Sequence, residues 1–375
     1  MRILVVNWQD RENPLAGGAE VHLHEIFGRL AGRGHDVTLL CGGWRGCEPC
    51  AELDGMRVVR AGTRYTFPAF AGAAYRGLAS AAPFDAIVED INKVPLNTPL
   101  WRRPGGGRSP VVALVPHLFG ATAFAEAPLP LAAAVWLAER PLASVYGRIP
   151  FQAISDSTAD DLVLRGIPRS SITVIYPGVD TAHLTPIAGT RSRSPRFAYL
   201  GRLKRYKGVD IVLRAFARLA HTDAVLDIAG TGDRRPALER LAASLDLGQR
   251  VQFLGFIDDD EKRALLRRSW ALVFASPREG WGMTNLEAAA CGTPVVASDS
   301  PGLRESIRHG ETGLLVPHGD VAAMSAALAR LAASPALVES FGAAGRRFAE
   351  GFTWSRAAAG TEAHLMNHVA DGGKH

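Results

Sequence analysis

The sequence predicts an α/β protein made of two doubly wound domains, and three observations support this fold class. Short apolar runs alternate with helical segments in both halves of the chain. Residues Thr185–Pro195 (TPIAGTRSRSP) interrupt the alternation with Pro, Gly, Ser and Thr and show no apolar periodicity, which is typical of a linker. The chain has 375 residues, 47% of them hydrophobic and 21% charged, enough for two globular domains. We therefore expect a first domain over 1–185, a linker over 186–195, a second domain over 196–352, and a final helix over 353–375 that can cross back to the first domain.

The first half opens with a βαβ unit. Arg2–Val6 is a continuous apolar run, as expected for a strand buried in a parallel sheet. Apolar residues from Ala19 to Leu30 then fall at helical spacing, and His35–Leu40 is the next strand. Further strands are predicted at Phe84–Asp90, Val111–His117, Phe151–Ser157 and Ser171–Asp180.

The second half repeats the pattern. Six apolar runs, each separated by a helical or turn segment, are predicted to be strands: RFAYLGR, AVLDIAGTG, VQFLGF, WALVFASP, TPVVASD and TGLLVP. Ligands of doubly wound sheets bind beyond the carboxyl ends of the strands. With two such domains facing each other, we expect the functional site in the cleft between them.

Charge and composition exclude several classes of function. Residues 1–190 carry 17 Lys and Arg against 17 Asp and Glu, so the net charge of +5 comes from residues 191–375. Seven of those cations fall within 191–207, which indicates a local anion site or a solvated face rather than a nucleic-acid surface. We predict no signal peptide, and the longest apolar region, Val111–Ala138, is broken by prolines and Glu126. The four cysteines form no disulfide or zinc pattern, so we expect a cytoplasmic protein with reduced thiols.

Two common nucleotide fingerprints are missing. The first strand leads to Gly17 and Gly18 only after ten residues, and no GxGxxG or GxxxxGK[ST] follows it. Gly230 and Gly232 have Arg235 where a third glycine would fall. We therefore exclude hydride transfer and P-loop chemistry.

Two other segments suit a nucleoside diphosphate. Arg202 and Lys207, in GRLKRYKGVD, lie at or beyond the carboxyl end of the first strand of the second domain. By themselves they are equally consistent with surface cations near a turn. In REGWGMTNLEAAACG, Glu279 lies in a loop and Glu287 in the first turn of a helix, with Thr284 or Asn285 as its N-cap. Glycines in that loop allow backbone N–H groups to approach an anion at the helix N-terminus.

Taken together, these segments resemble the retaining glycosyltransferases of the GT-B fold, and in particular glycosyltransferase family four. Glu279 and Glu287 match the E-x7-E motif of that family. Five further segments match in order and spacing: GGAE (17–20), HDVTLL (35–40), YPGVD (176–180), GRLKRYKGVD (201–210) and GLRESIRHGETGLLV (302–316). The resemblance covers nearly the whole chain and implies two Rossmann-like domains facing across a cleft.

The resemblance implies transfer of a sugar from a nucleotide diphosphate donor, with retained anomeric configuration and no essential metal or cofactor. UDP- or GDP-sugars are the expected donors. It assigns the diphosphate to Arg202, Lys207, Gly17 and Gly18, and the ribose to Glu287. Glu279 and His117 are the implied catalytic residues beside the donor sugar. The implied donor loop comprises Gly280, Trp281, Gly282, Met283 and Thr284.

Two features of the sequence qualify the resemblance. Many relatives have a proline where this chain has Met283–Asn285, so the preference for a donor sugar does not carry over. Asp258–Lys262 (DDDEK) resembles the DxD metal motif of a different glycosyltransferase fold. Because ALLRRSW follows it, we interpret these acids as the N-cap and first turn of a helix.

The first domain is expected to bind the acceptor. Asp90, Asn92 and Lys93 end a strand with polar groups that suit a hydroxylated acceptor or a lipid phosphate. Met56–Gly77 interleaves arginines with aromatic residues. This pattern suits contact with an anionic membrane or the lining of a sugar cleft, and it is equally consistent with an ordinary strand and loop. We predict a lipid-linked or glycan acceptor at the inner face of the membrane. The competing hypotheses are a nucleotide-sugar epimerase and a non-catalytic nucleotide-sugar sensor.

Overall fold

The described residues form one β-sheet of eight strands and one of six, and the chain divides into two units. Unit 1 comprises Met1–Gly178 and Trp354–His375, and unit 2 comprises Val179–Thr353. The computed structural model describes residues 1–101, 109–118, 120, 129–221 and 223–372. Glu126 and the other residues of 121–128, which fall in the apolar region noted above, lie outside the described residues.

The sheet of unit 1 has the strand order β3-β4-β2-β1-β5-β6-β7-β8. Its strands are β1 (Arg2–Val6), β2 (Asp36–Gly43), β3 (Cys50–Leu53), β4 (Met56–Thr63), β5 (Ala86–Asp90), β6 (Val111–Val115), β7 (Phe151–Ala153) and β8 (Ile172–Val174). The pairings are parallel, apart from the antiparallel pair β3–β4. Strands β5 and β6 are buried along their whole length; this agrees with the continuous apolar run of β6, whereas β5 ends in the buried acids Glu89 and Asp90.

The described residues of unit 1 also form six α-helices. They are α1 (Gly18–Gly32), α2 (Phe67–Ala81), α3 (Leu129–Glu139), α4 (Leu142–Tyr146), α5 (Asp156–Leu164) and α12 (Trp354–Gly372). The last helix, from the end of the chain, packs on α1. The His22 ring lies edge-on to Trp354 with centroids 5.9 Å apart, and Glu362 accepts from His35 at 2.8 Å. Unit 1 is therefore completed by both ends of the chain.

The sheet of unit 2 is parallel throughout, with the order β11-β10-β9-β12-β13-β14. Its strands are β9 (Arg196–Leu200), β10 (Val225–Ala229), β11 (Val251–Gly255), β12 (Ala271–Phe274), β13 (Val295–Ser298) and β14 (Gly313–Val316). Its helices are α6 (Val209–Ala217), α7 (Arg235–Ser244), α8 (Asp259–Arg268), α9 (Met283–Ala290), α10 (Val321–Ala332) and α11 (Pro335–Ala349).

The predicted linker is part of unit 2, and the boundary between the units lies seven residues before the predicted one. Arginines of unit 2 bind backbone carbonyls at the start of this segment and just before it. Arg267 Nε donates to Thr185 O at 2.6 Å, and Arg346 Nη1 donates to Leu184 O at 2.7 Å. Composition alone does not reveal these contacts, because the partners are far away in the sequence.

Other elements differ from the prediction in length or in kind. The strand predicted at Phe151–Ser157 ends at Ala153, because the Ser155 side chain caps α5 by accepting from Thr158 N. Met56–Gly77 contains strand β4 and most of helix α2. The prediction for Asp258–Lys262 is confirmed: Asp258 caps α8 and accepts from Glu261 N at 2.8 Å.

Among the described residues, no single helix has both the length and the apolar character needed to cross a membrane. One pair of segments, Val321–Ala332 and Pro335–Ala370, meets the criteria of length and composition together but is bent by 101°.

Each sheet changes its winding direction next to its first strand. In unit 1 the chain proceeds from β1 to β2 and β4 on one side, then from β5 to β8 on the other. In unit 2 it proceeds from β9 to β10 and β11, then from β12 to β14 on the other side. Ligands of such sheets bind at the carboxyl ends of the strands that flank this switch point. The loops after β1 and β5, and those after β9 and β12, are therefore the places where a site is expected.

Candidate functional site

The loops after β9 and β12 contact each other at the switch point of unit 2. Gly208 ends the first loop with φ +65°, and a β-carbon there would lie 2.5 Å from the carbonyl oxygen of Ala275 in the second loop. Only glycine permits both this backbone conformation and this distance. The close approach brings the predicted donor residues of the two loops together.

Lys207 and Glu279 form an ion pair across these loops. Lys207 Nζ donates to Glu279 Oε1 at 2.6 Å, and the two side chains are 15% and 19% exposed. Burial opposes the charge of Lys207, but the nearby Glu279 carboxylate more than offsets it, so the pKa of the ammonium group is raised. Lys207 therefore carries a full positive charge at neutral pH.

Arg202 adds a second positive charge beside this pair. Its side chain is exposed, and its charge acts on Lys207 in the direction that lowers the pKa of the lysine. Its backbone carbonyl accepts from the buried Tyr199 hydroxyl at 2.9 Å, which holds the loop against the sheet. Two cations with one carboxylate leave this end of the sheet positively charged, as an anion site requires.

The helix that follows Glu279 begins earlier than predicted. Its N-cap is Gly282, with φ +75°, rather than Thr284 or Asn285. Glu287 is consequently the fifth residue of α9 and lies in the second turn, not in the first. Asn285 is the third residue of the helix, where its buried side chain donates to Ser306 Oγ at 2.8 Å, so it lies beyond the N-cap position.

Packing inside unit 2 fixes the shape of the loop Gly280–Thr284. The Trp281 side chain is 1% exposed and its ring lies 4.9 Å from that of Phe352. This places the ring in the core, so only the backbone of Trp281 remains suitable for ligand contact. Gly280, Met283 and Thr284 are half-buried.

Glu287 has a partner that the sequence did not indicate. Lys262, on α8, donates to Glu287 Oε1 at 3.1 Å and lies 3.1 Å from Asp259 Oδ1. Burial lowers the pKa of Lys262, but the Glu287 and Asp259 carboxylates together outweigh that effect, and the net shift is upward. Because the two residues are far apart in the sequence and on different helices, no spacing rule predicts their contact.

In unit 1 the predicted glycines begin helix α1. Gly17 is the N-cap, and its N–H donates to Glu20 Oε2 at 2.7 Å in a capping box. That N–H group is therefore already used within the protein, whereas Gly18 occupies the first helical position. The contact of these glycines with a donor phosphate stays a prediction, as does the role of His117, which is half-buried two residues after β6.

The polar residues after β5 gather around the N-terminus of α1. Asn92 Nδ2 donates to Glu20 Oε1 at 3.3 Å, and Lys93 Nζ lies 3.6 Å from the same oxygen. The Asp90 side chain is 1% exposed; burial, reinforced by the charge of Glu20, raises the pKa of this carboxyl well above its usual range. We call Glu20, Asp90, Asn92 and Lys93 the Asp90 cluster.

Glu89 holds the loop that carries this cluster. Its buried carboxylate accepts from Leu96 N at 2.5 Å, from Thr98 Oγ1 at 2.5 Å and from the Tyr146 hydroxyl at 2.8 Å. Glu89 was not predicted as a site residue, and its dense set of internal donors indicates a structural role. Successive side chains of a strand point to opposite faces of the sheet, so Glu89, which binds the loop, and Asp90 lie on opposite faces.

Comparisons with known proteins identify the family of this chain. The model of the family described as glycosyl transferases group 1 matches residues 184–348, and that described as glycosyltransferase family 4 matches residues 16–183. A glycogen synthase of Mycobacterium tuberculosis is 30% identical over 394 residues, covering 96% of this chain and 93% of that protein. A GDP-mannose-dependent α-(1-6)-phosphatidylinositol monomannoside mannosyltransferase of Mycolicibacterium smegmatis is 30% identical, covering 90% and 91% of the two chains.

The fold is shared with a solved structure of more distant sequence. Sucrose-phosphate synthase from Thermosynechococcus elongatus superposes with a TM-score of 0.85 at 21% identity, covering 99% of this chain and 100% of that one. Since a full-length relative reaches 30% identity and both family models match in order, the family assignment does not rest on fold alone. The chain belongs to the group 1 glycosyltransferases and has the GT-B architecture of two Rossmann-like domains.

Proposed function

We propose that this glycosyltransferase moves a sugar from a UDP- or GDP-sugar to a hydroxyl acceptor, with retention of configuration and without a metal ion. The observation that carries the proposal is the Lys207–Glu279 pair, which lies at the switch point of unit 2 close to the start of α9. It combines a cation suited to a diphosphate with a carboxylate suited to a sugar. The residues below are assigned on that basis.

Lys207 and Arg202 bind the donor diphosphate. Charge-assisted hydrogen bonds of this kind contribute about 1.5–3 kcal/mol each when formed to a charged group. They act most strongly on the leaving group, because the negative charge of the diphosphate grows as the glycosidic bond breaks. The raised pKa of Lys207 supports this role, since the lysine stays protonated as charge develops.

The start of α9 adds uncharged donors. The first N–H groups of a helix have no carbonyl partner within it and carry a partial positive charge. Asn285 N donates back to Gly282 O at 2.9 Å, so the amides of Met283 and Thr284, nearer the end, are those we assign to phosphate. Backbone donors do not require the proline that many relatives have in this loop.

Glu287 binds the ribose. A carboxylate accepts two hydrogen bonds from vicinal hydroxyls when it is ionised. The Lys262 ammonium group, 3.1 Å from Glu287 Oε1, fixes the position of the carboxylate. Lys262 is thus proposed to position Glu287 rather than to touch the donor.

Glu279 faces the donor sugar in the proposed complex. In the free protein its carboxylate is paired with Lys207 at 2.6 Å, an arrangement that reduces its nucleophilicity. This supports attack on the face from which the phosphate departs, with the leaving phosphate accepting the proton of the acceptor hydroxyl. A covalent glycosyl adduct on Glu279, detected by mass spectrometry of the intact protein, would overturn that route.

Donor hydrolysis tests the proposal and separates it from its rivals. We expect wild type to release nucleoside diphosphate slowly from a UDP- or GDP-sugar, and Glu279→Ala to release it about 100-fold more slowly. Glu239→Ala, which removes an exposed glutamate paired with Arg235, is the matched control. A sensor would bind the nucleotide without turnover, and an epimerase would convert one nucleotide sugar into another without releasing the diphosphate.

Chelation tests the proposed independence from metals. The acids of Asp258–Asp260 cap and begin helix α8, and Asp259 and Asp260 pair with Lys262 and Arg263 of the same helix. This internal pairing supports a structural rather than a metal-binding role. We expect full activity in EDTA, and loss of activity that a divalent ion restores would contradict this.

Peripheral membrane contact remains a proposal for unit 1. Tyr65 is 88% and Phe70 53% exposed, and Arg64 and Arg76 are exposed beside them in the same segment. Aromatic rings with basic side chains suit the interface of an anionic bilayer. Flotation with phosphatidylglycerol vesicles, but not with phosphatidylcholine vesicles, is the expected result, and absence of flotation with both would exclude it.

A further inference from the structure

We propose that the Asp90 cluster of unit 1 is a subsite for uncharged polyol acceptors, which it recognises by accepting hydrogen bonds from their hydroxyl groups rather than by binding phosphate. The proposal rests on the glycosyltransferase function and specifies its acceptor class. The sequence allowed either a hydroxylated acceptor or a lipid phosphate at these residues, and the hydrogen-bond inventory of the cluster distinguishes them.

Asp90 has hydrogen-bonding capacity that the protein does not use. Its side chain is 1% exposed, and within the described part of the chain neither carboxyl oxygen has a hydrogen-bond partner. A buried polar group without a partner costs roughly 1–3 kcal/mol, more if charged, so such groups are rare unless a function retains them. Glu89, the next residue, shows the contrast, because protein donors satisfy both of its oxygens.

The unused groups of the cluster are mainly acceptors. Among the described residues, partners are also lacking for Asn92 Oδ1 and for Lys93 Nζ, whose distance of 3.6 Å from Glu20 Oε1 is an ion pair rather than a hydrogen bond. With Asp90 ionised, three unused acceptor atoms stand beside one unused donor group, and the raised pKa of Asp90 favours a protonated form that has one further donor. A ligand that fits must donate hydrogen bonds as well as accept them, as hydroxyl groups do and phosphate oxygens do not.

Charge leads to the same conclusion. Glu20 and Asp90 contribute carboxyl groups, and Lys93 contributes one cation, with the exposed Arg64 acting on Lys93 from further away. A phosphate dianion would approach the Glu20 carboxylate in a buried setting, where like-charge repulsion is poorly screened. An ammonium ligand would in turn meet Lys93. Neutral hydroxyls avoid both penalties.

The position of the cluster suits substrate binding. Asp90 ends β5 and Glu20 lies in the first turn of α1, which follows β1, so the cluster occupies the switch point of this sheet. Glu20 joins the two elements, because one oxygen accepts from Gly17 N at 2.7 Å and the other from Asn92 Nδ2 at 3.3 Å. The orientation of Asn92 and Lys93 is therefore set before any ligand arrives.

Saturation-transfer NMR on the full-length protein, with UDP or GDP present, tests the subsite. The probes are myo-inositol, methyl α-D-mannopyranoside and myo-inositol 3-phosphate. We expect saturation transfer to the two neutral polyols, no stronger transfer to the phosphate, and at least a threefold loss of the polyol signal in Asp90→Asn. Asp160→Asn, which changes an exposed acid on α5, should behave as wild type.

Asp90→Asn keeps the shape of the side chain and replaces one acceptor by a donor, so the fold is expected to survive. Lys93→Met is the second variant and should weaken transfer to the polyols without favouring the phosphate. No transfer to either polyol in wild type, an unchanged signal in Asp90→Asn, or stronger transfer to inositol phosphate would each overturn the subsite. The Tm of wild type is measured in parallel with and without UDP and GDP. If neither nucleotide raises the Tm, the proposed function is contradicted instead.

Discussion

Ion pairs between distant residues organise the candidate donor site at the scale of single residues. Glu279 and Glu287, which the sequence motif presents as similar acids, have different lysine partners in the structure. Lys207 pairs with the first and Lys262 with the second. Each lysine forms an ion pair with its glutamate, but only Lys207 lies in the loop where a diphosphate is expected.

Replacing Lys262 is expected to weaken nucleotide binding without affecting the chemical step. In Lys262→Met, Glu287 loses the ammonium group that orients it, so we expect the Kd for UDP or GDP to rise about tenfold. Isothermal titration calorimetry measures the change. Arg263→Met, which removes the next residue of α8 and its pair with Asp260, is the control and should leave the Kd unchanged. Equal affinities in both variants would show that Lys262 does not position Glu287.

At the scale of elements, the loops of unit 2 are held by close backbone contacts as well as by hydrogen bonds. Gly302 has φ +79°, and a β-carbon there would lie 2.2 Å from the carbonyl oxygen of Glu279. Glu279 N donates to Pro301 O at 3.1 Å in the same region. The segment after β13 therefore supports the loop that carries the catalytic candidate, although the two are separate in the sequence.

Gly302→Ala is expected to disturb that loop. The left-handed backbone costs a non-glycine residue about 1–2 kcal/mol, and the contact with Glu279 adds to it. Gly319→Ala is the control because Gly319 has φ +80° but open space around it. We expect urea unfolding to show a larger loss for Gly302→Ala, accompanied by weaker nucleotide binding. If the two variants lose the same stability, the contact with Glu279 has no role.

The start of helix α8 allows a second test at this scale. Asp258→Ala removes an N-cap whose side chain accepts from Glu261 N at 2.8 Å, so we expect a loss of about 1 kcal/mol in stability. Activity with and without added magnesium should match that of wild type. A variant that keeps its stability but loses metal-dependent activity would reassign these acids to a metal site.

At the scale of the whole molecule, unit 1 depends on both ends of the chain. Helix α12, from the carboxyl terminus, packs on α1, and Gln152 Nε2 in β7 donates to Thr361 Oγ1 at 2.9 Å. His22 lies in this contact with 1% exposure, and among the described residues neither ring nitrogen has a hydrogen-bond partner. Burial lowers the pKa of His22 to about 4, and burial together with His368 lowers that of His364 to about 4.

The lowered pKa values of His22 and His364 predict that unit 1 loses stability in acid. Their folded-state pKa values lie below the ordinary value of 6.5, so the unfolded state binds more protons between pH 6.5 and about 4. Stability is therefore fully present above pH 6.5 and falls as the pH drops toward 4. We expect the Tm of His22→Phe to fall less than that of wild type over this window, in thermal unfolding followed by circular dichroism. Parallel Tm profiles would show that His22 is not buried as a neutral group.

The sequence by itself determined the repeated strand–helix order, the fold class and the two carboxylates of the E-x7-E spacing, because apolar periodicity and local motifs are properties of neighbouring residues. It misplaced the start of α9 because the N-cap depends on the burial of Asn285 and the left-handed Gly282. Only the tertiary structure decided that Lys262 pairs with Glu287, that Glu89 is internally satisfied while Asp90 is not, and that the predicted linker belongs to unit 2. Each of these depends on contacts between residues far apart in the chain, which sheet topology creates and local sequence does not encode.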